Sequence, residues 1–194
     1  MNEFKVIFIG SAGVGAKTNL INRIIGKEFN DHQESTSTIL YVPKIIKISY
    51  GEIQLFLWDT PGQEKFRSLV RIFCKNSDCV VFGYAVDNKD SLDEIKDFYK
   101  LIYEEFGNLP LSYLVGNKID LFWERQVTKE EGENYAKKYN MKYYEVSAKT
   151  GEGINELIED ISNSLINPKL KEKKIKKKNE YIEKIKKLNY YYNY

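Results

Sequence analysis

The chain has 194 residues, 42% hydrophobic and 30% charged, which suits one soluble globular domain with a sizeable core and a tail. Its formal charge of +2 is uneven: Lys169 to Tyr194 holds ten lysines against three glutamates, a net +7 that leaves −5 on the rest. A mildly acidic folded part argues against nucleic-acid binding, and no run approaches the roughly 18 apolar residues that a membrane span requires.

In chain order, apolar runs at Phe4–Ile9, Lys44–Ser49, Ile53–Trp58, Val80–Val86, Leu111–Gly116 and Lys142–Ser147 read as strands, and stretches of helical periodicity lie between most of them. The fold class expected is α/β, with helices flanking a mostly parallel sheet. Only Tyr50-Gly51-Glu52 separates the second run from the third, so these two form a hairpin and supply one antiparallel strand.

The first run opens directly into Gly10-Ser11-Ala12-Gly13-Val14-Gly15-Ala16-Lys17-Thr18 and a helical stretch from Asn19 to Ile25. Strand, glycine-rich turn and helix make a phosphate-binding loop: backbone N–H groups converge on phosphate oxygens at the helix N-terminus, a lysine reaches the β/γ-phosphates, and a hydroxyl ligates Mg²⁺. The usual spacing is G-x-x-x-x-G-K-[ST]. Here Ala16 stands between Gly15 and Lys17, so the loop carries either one extra residue or two substituted glycines. The unbroken pattern after Lys17 favours counting from the lysine end, with the slack at Ser11.

No basic leader precedes the first strand, and no signal peptide is expected. Cys74 and Cys79 are the two cysteines; without a neighbouring histidine pattern they read as buried apolar residues in a reducing compartment, neither a disulfide nor a zinc site. Ser91 with Glu94, and Thr128 with Glu131, have the spacing of capping boxes opening helices toward Phe106 and Tyr139. A last amphipathic helix carries Ile154, Leu157, Ile158, Ile161 and Leu165 and meets Asn167-Pro168, where a proline disfavours continuation. The domain boundary is placed there, giving a domain over 1–167 and a lysine-rich tail over 168–194.

After the third strand comes Asp59-Thr60-Pro61-Gly62-Gln63-Glu64. Asp59 at a strand end beside the phosphate loop suits support of Mg²⁺, the Gly62 N–H suits a γ-phosphate oxygen, and Gln63 suits orientation of an attacking water. The fifth strand ends in Asn117-Lys118-Ile119-Asp120. There a carboxylate can accept hydrogen bonds from guanine N1 and its exocyclic amine while the lysine stem lies along the base. Ser147-Ala148-Lys149 then offers a backbone N–H for guanine O6.

Taken in this order and at these distances, the four motifs resemble those of the Ras-superfamily small GTPases, most closely the Rab branch; Trp58 and Lys149-Thr150-Gly151-Glu152-Gly153 are the Rab-like touches. The resemblance implies a six-stranded sheet with about five helices, binding of GTP or GDP with Mg²⁺, slow hydrolysis, and a switch acting in vesicle traffic. It implies effectors at the switch regions, an exchange factor and a GTPase-activating protein, no nucleic acid, and a monomer in the cytoplasm with endomembrane attachment left open. The phosphate loop from Gly10 to Asn19, Asp59, Gly62, Asn117, Lys118, Asp120 and Ser147 to Lys149 would hold nucleotide. Thr18, Asp59 and a switch threonine would hold the metal, and Gln63 would be catalytic.

Four departures stand out. The first is Ala16. In the first switch, Ser35-Thr36-Ser37-Thr38-Ile39 offers two candidates for the metal-binding threonine; ungapped spacing to Asp59 ranks Thr36 ahead of Thr38. Pro61 replaces the usual alanine and removes an N–H just before Gly62. Finally, the chain has no cysteine after Cys79 for the prenylation usual in Rab-like proteins; the tail offers instead a weak amphipathic pattern at Tyr181, Ile185, Leu188 and Tyr192, beside the plainer reading of a solvated charged tail. No role is expected of His32. A scaffold that binds nucleotide without turning it over is the competing function.

Overall fold

A computed structural model describes residues 1–14, 17–31, 40–49, 51–61 and 67–167. Strands β1 (Asn2–Ile9), β2 (Leu40–Ile48), β3 (Gly51–Asp59), β4 (Cys79–Ala85), β5 (Leu111–Asn117) and β6 (Lys142–Glu145) form one sheet in the order β2-β3-β1-β4-β5-β6. All neighbouring pairs are parallel except β2 with β3. That hairpin is longer than its apolar run suggested, running from Leu40 opposite Asp59 to Ile48 opposite Gly51. Pro43 is tolerated within it because β2 is an edge strand, where a missing N–H costs little.

Helices α1 (Thr18–Ile24), α2 (Arg67–Cys74), α3 (Lys89–Asp93), α4 (Ile95–Phe106), α5 (Lys129–Lys138) and α6 (Ile154–Ile166) flank the sheet. Glu94 joins α3 to α4 with helical dihedrals, its N–H on the Asp90 carbonyl and its own carbonyl accepting from Phe98. The two are one bent unit, so the flanking helical units number five among the described residues.

Period-two alternation assigns each strand residue to one of two cores. In β1, Phe4, Val6 and Phe8 face α1 and α6, meeting Leu20, Ile21, Ile24, Leu157 and Ile161. Ile7 and Ile9 face the other way, with Val70 of α2, Ile95, Phe98 and Ile102 of α4, and Ala136 of α5. Each fully buried aliphatic side chain contributes about 1.5–3 kcal/mol, and the central strands, buried on both faces, hold most of them.

One capping expectation is corrected. Ser91 does not open its helix: Asn88 does, its side chain accepting from the Ser91 N–H at 3.1 Å. Ser91 is buried instead, its hydroxyl donating to the Asn88 carbonyl at 2.6 Å and accepting from the Ala85 N–H at 3.0 Å. The serine thus bolts the helix start to the end of β4. At α5 the capping box is complete, with Glu131 N–H on Thr128 Oγ1 at 3.2 Å and Thr128 N–H on Glu131 Oε2 at 2.8 Å. Cys74 and Cys79 are both free and buried, as their setting predicted. The last helix ends at Ile166, and Asn167 before Pro168 is extended, φ −59° and ψ 123°.

The connection from β1 through α1 leads to the edge strand β2, from which the hairpin returns to β3 beside β1, whereas those after β4 lead the opposite way. The carboxyl ends of the adjacent strands β1 and β4 are therefore the topological switch point, where open α/β sheets place ligands.

Candidate functional site

The phosphate loop leaves β1 at this switch point. A Cβ on Gly10 would lie 2.2 Å from the Gly83 carbonyl oxygen of β4, so the loop's first residue lies flush on the neighbouring strand only because it is glycine. Val14 is 2% exposed and packs on Ala85, and its carbonyl accepts from Asn117 Nδ2 at 3.4 Å. Gly13 has φ +76° and open space around it, while Ala12 and Gly13 face solvent. Gly15 and Ala16 lie outside the described residues.

Lys17 sits immediately before α1 and is 6% exposed. Its Nζ donates to the carbonyls of Gly10 at 2.7 Å and Ser11 at 2.5 Å. Burial pushes its ammonium down to about 8, with the carboxylates of Asp59 and Glu94 opposing that shift. Among the described residues the ammonium donates to two carbonyl oxygens, and an anion brought beside it would raise its pKa again. Thr18, the first residue of α1, donates its hydroxyl to Asp59 Oδ2 at 2.6 Å. The β1–β3 register places Asp59 opposite Phe8, and buried Thr60 locks that end of β3 by donating to the Phe8 carbonyl at 2.7 Å. A hydroxyl and a carboxylate oxygen side by side at a phosphate loop are the hard donors that Mg²⁺ takes alongside waters and phosphate oxygens. Among the described residues no cluster of three or more His, Cys, Asp or Glu side chains competes for a metal. These donors fit the ion, and its chemistry would be neutralisation of phosphate charge. Asn19, also expected at the nucleotide, turns its amide to the Asn30 carbonyl at 3.3 Å.

Asn117 joins the phosphate end to the base end. It is 2% exposed; besides its bond to Val14, its Oδ1 accepts from the Ala148 N–H at 2.9 Å. The N–H expected to face guanine O6 is thus engaged within the protein here. Lys118 adopts φ +69°, a conformation uncommon for a residue with a side chain and concentrated at functional loops. Asp120 Oδ1 accepts from the Ser147 hydroxyl at 2.5 Å, and that same hydroxyl accepts from the Thr150 N–H at 3.0 Å. Asp120 is thereby aligned by the loop it would share with the base, and Lys149 follows on that loop.

Several supporting residues escaped the motif reading. Asp87, just past β4, pairs with Lys118 Nζ at 3.0 Å; its place at a parallel strand end, like that of Asp59, was the available signal. Arg125 grips Glu145 through two bonds, 2.7 and 3.2 Å, and reaches the Val127 carbonyl at 3.0 Å, fixing the segment after Asp120. Tyr41 stacks on Trp58 at 5.1 Å between ring centroids, with Phe56 edge-on at 5.9 Å and Phe73 beyond Trp58 at 6.5 Å. Tyr41 is 55% exposed, so the group presents an aromatic face across β2, β3 and α2. The expected residues Thr36, Gly62 and Gln63, the alternative Thr38, and His32, of which no role is expected, lie outside the described residues.

The fold, with its glycine-rich loop at the switch point, is that of a phosphate-loop α/β protein. Residues 5–167 match the Ras family. The chain is 37% identical over 164 residues to the Ras-related protein Rab-21 of Mus musculus, covering 84% of this chain and 73% of that protein; for the Homo sapiens protein of the same name the values are 36%, 84% and 72%. The chain belongs to the Ras family and is a Rab-like small GTPase. GTP binding and hydrolysis are the general activity of that family.

Proposed function

We propose that this chain is a competent GTP-hydrolysing switch serving intracellular vesicle traffic. The observation that supports this best is the double attachment of Asn117, to the phosphate loop through Val14 and to the Ser147–Lys149 loop through Ala148, which unites phosphate and base ends in one cleft. In this reading Lys17 leaves its two carbonyls in part to meet the β/γ-phosphates, and Asp120 pairs with guanine. Thr18, Asp59 and the switch threonine, Thr36, hold Mg²⁺, whose charge offsets that of the phosphates. Gly62 donates its N–H to the γ-phosphate, and Gln63 orients the attacking water.

The aromatic face of Tyr41, Phe56, Trp58 and Phe73 is built on β2, β3 and α2, the elements that adjoin the switch segments 32–39 and 62–66 in sequence, which suits effector docking in the GTP state. No arginine in the phosphate loop or switches is placed as a finger, so an activating protein would supply one, and an exchange factor would release GDP. No helix among the described residues is long and apolar enough to cross a membrane; the tail 168–194, with its lysines, offers electrostatic contact with an anionic surface. The altered spacing of the phosphate loop at Ala16 supports one other reading, a scaffold that holds nucleotide without turnover. Extraction and chromatography of nucleotide from the purified protein, followed by a single-turnover assay with GTP and Mg²⁺, separates the two. Bound guanine nucleotide with phosphate release establishes the switch, and bound nucleotide without release establishes the scaffold. Absence of bound or bindable guanine nucleotide refutes both.

A further inference from the structure

We propose that Glu94 is a positioning residue for the phosphate site, acting through Ser11. The Ser11 hydroxyl donates to Glu94 Oε2 at 2.6 Å, while the Ser11 carbonyl accepts from Lys17 Nζ at 2.5 Å. One loop residue, 8% exposed, therefore holds the functional lysine with its main chain and the α3–α4 junction with its side chain.

The junction is a firm support. Leu92, Ile95 and Phe98, on either side of Glu94, are buried in the core between the sheet and α4, and the Glu94 carbonyl accepts from the N–H groups of Asp97 at 3.1 Å and Phe98 at 3.3 Å. Its backbone cannot shift without disturbing that packing. The loop it braces has a particular need of bracing. A loop with an added residue has more conformations to lose on closing, and the Gly10–Ser11 carbonyls that hold Lys17 are adjacent to solvent-facing Ala12 and Gly13. A charge-assisted hydrogen bond from a fixed helix junction restricts Ser11, and through it the position of Lys17, before phosphate arrives.

The inference rests on the nucleotide-binding reading above and separates from it in one experiment. Release of a fluorescent methylanthraniloyl-GDP is followed from the full-length protein in excess unlabelled GDP and Mg²⁺, alongside thermal melting of each variant. Ser11→Ala and Glu94→Ala are each expected to speed release by about tenfold, the order of one charge-assisted hydrogen bond. The double variant is expected to be no faster than either single, because both delete the same contact. Glu94→Gln, whose amide oxygen still accepts from Ser11 as a neutral and weaker acceptor, is expected to release GDP about threefold faster than the parent, clearly slower than Glu94→Ala. Failure of Glu94→Gln to rescue, additive effects in the double variant, or lowered melting temperatures with unchanged release would each overturn the positioning role. A parent protein unable to hold the labelled GDP would overturn the nucleotide-binding reading and this inference with it.

Discussion

Asn117→Ala tests whether the two ends of the cleft are held together as the structure describes. The side chain is 2% exposed and makes one good hydrogen bond, 2.9 Å from the Ala148 N–H, and one long one, 3.4 Å to the Val14 carbonyl. Deleting it leaves the Ala148 N–H without its acceptor, at about 1–3 kcal/mol; the long bond adds less, for a total of about 2–3 kcal/mol. The loss falls mainly on nucleotide binding, because Asn117 keeps its backbone place in β5, opposite Ala85 and accepting from the Val86 N–H at 2.9 Å. Guanine nucleotide affinity, measured from association and release of a fluorescent GDP, should fall on the order of 30-fold or more, with far-UV circular dichroism unchanged. Asn117→Asp should fall between, since it keeps an acceptor for Ala148 but faces the Val14 carbonyl with an oxygen. Unchanged affinity in Asn117→Ala would refute the bridge, as would a loss of affinity explained wholly by unfolding.

Three further outcomes follow from named contacts. Gly132→Ala in α5 gains about 1 kcal/mol of helix propensity, but its methyl would lie 2.3 Å from the Tyr143 hydroxyl oxygen, which is tied to Tyr84 and Glu145 at 2.9 Å each; overpacking at about 1–3 kcal/mol should win, and a higher urea midpoint would show that it does not. Burial pushes the Cys74 thiol up to about 12 and Cys79 well above its ordinary value, so in the native protein at pH 8 nearly all of each stays protonated and neither should react with Ellman's reagent until denaturant is added. Native reaction at pH 8 would contradict their burial. Gln63→Leu should slow single-turnover hydrolysis by at least about tenfold with little change in GTP affinity, because its effect is on water and not on bound phosphate; an equal rate would remove Gln63 from the mechanism.

The sheet was legible because its central strands are buried on both faces, and β1, β4 and β5 stand out as apolar runs of strand length. The start of β2 was hidden because Pro43 interrupts the run Leu40-Tyr41-Val42 in the manner of a strand end, and only the position of β2 at the sheet edge makes that proline tolerable. At the junction after β4 two capping patterns overlap, and Ser91 was taken for a cap because burial, which turns its hydroxyl back to Ala85 and Asn88, leaves no mark in local spacing. Motifs located Lys17, Thr18, Asp59, Asn117 and Asp120 by their order along the chain. Glu94 and Arg125 were illegible for a physical reason: each acts on a partner distant in sequence, Ser11 and Glu145 respectively, and only the folded chain reveals the pair.

The register of the phosphate loop, counted from the lysine end in the sequence, can be weighed against how residues 10–14 are held. Counting from the lysine end assigns Gly13 to the place that must leave room for the catalytic glutamine, with the slack at Ser11. In the structure, however, Ser11 is held at both its carbonyl and its hydroxyl, Gly10 is flush on Gly83, Val14 is buried on Ala85, and Thr18 is fixed to Asp59. Gly10, Ser11 and Val14 are each held, and we infer from this that the added length falls after Val14, at positions outside the described residues. Counting from Gly10 then assigns the crowded place to Ala12. Gly13→Val cannot decide the matter, since φ +76° strains any side chain there in either register. Ala12 has no positive φ, so its substitutions act by bulk alone. Ala12→Val should therefore bind guanine nucleotide at the parent stoichiometry yet hydrolyse GTP at least about tenfold more slowly, whereas Ala12→Gly, one methyl smaller, should hydrolyse it faster than the parent. Parent-like turnover in Ala12→Val, with nucleotide bound, would return the register to the lysine end and place the slack back at Ser11.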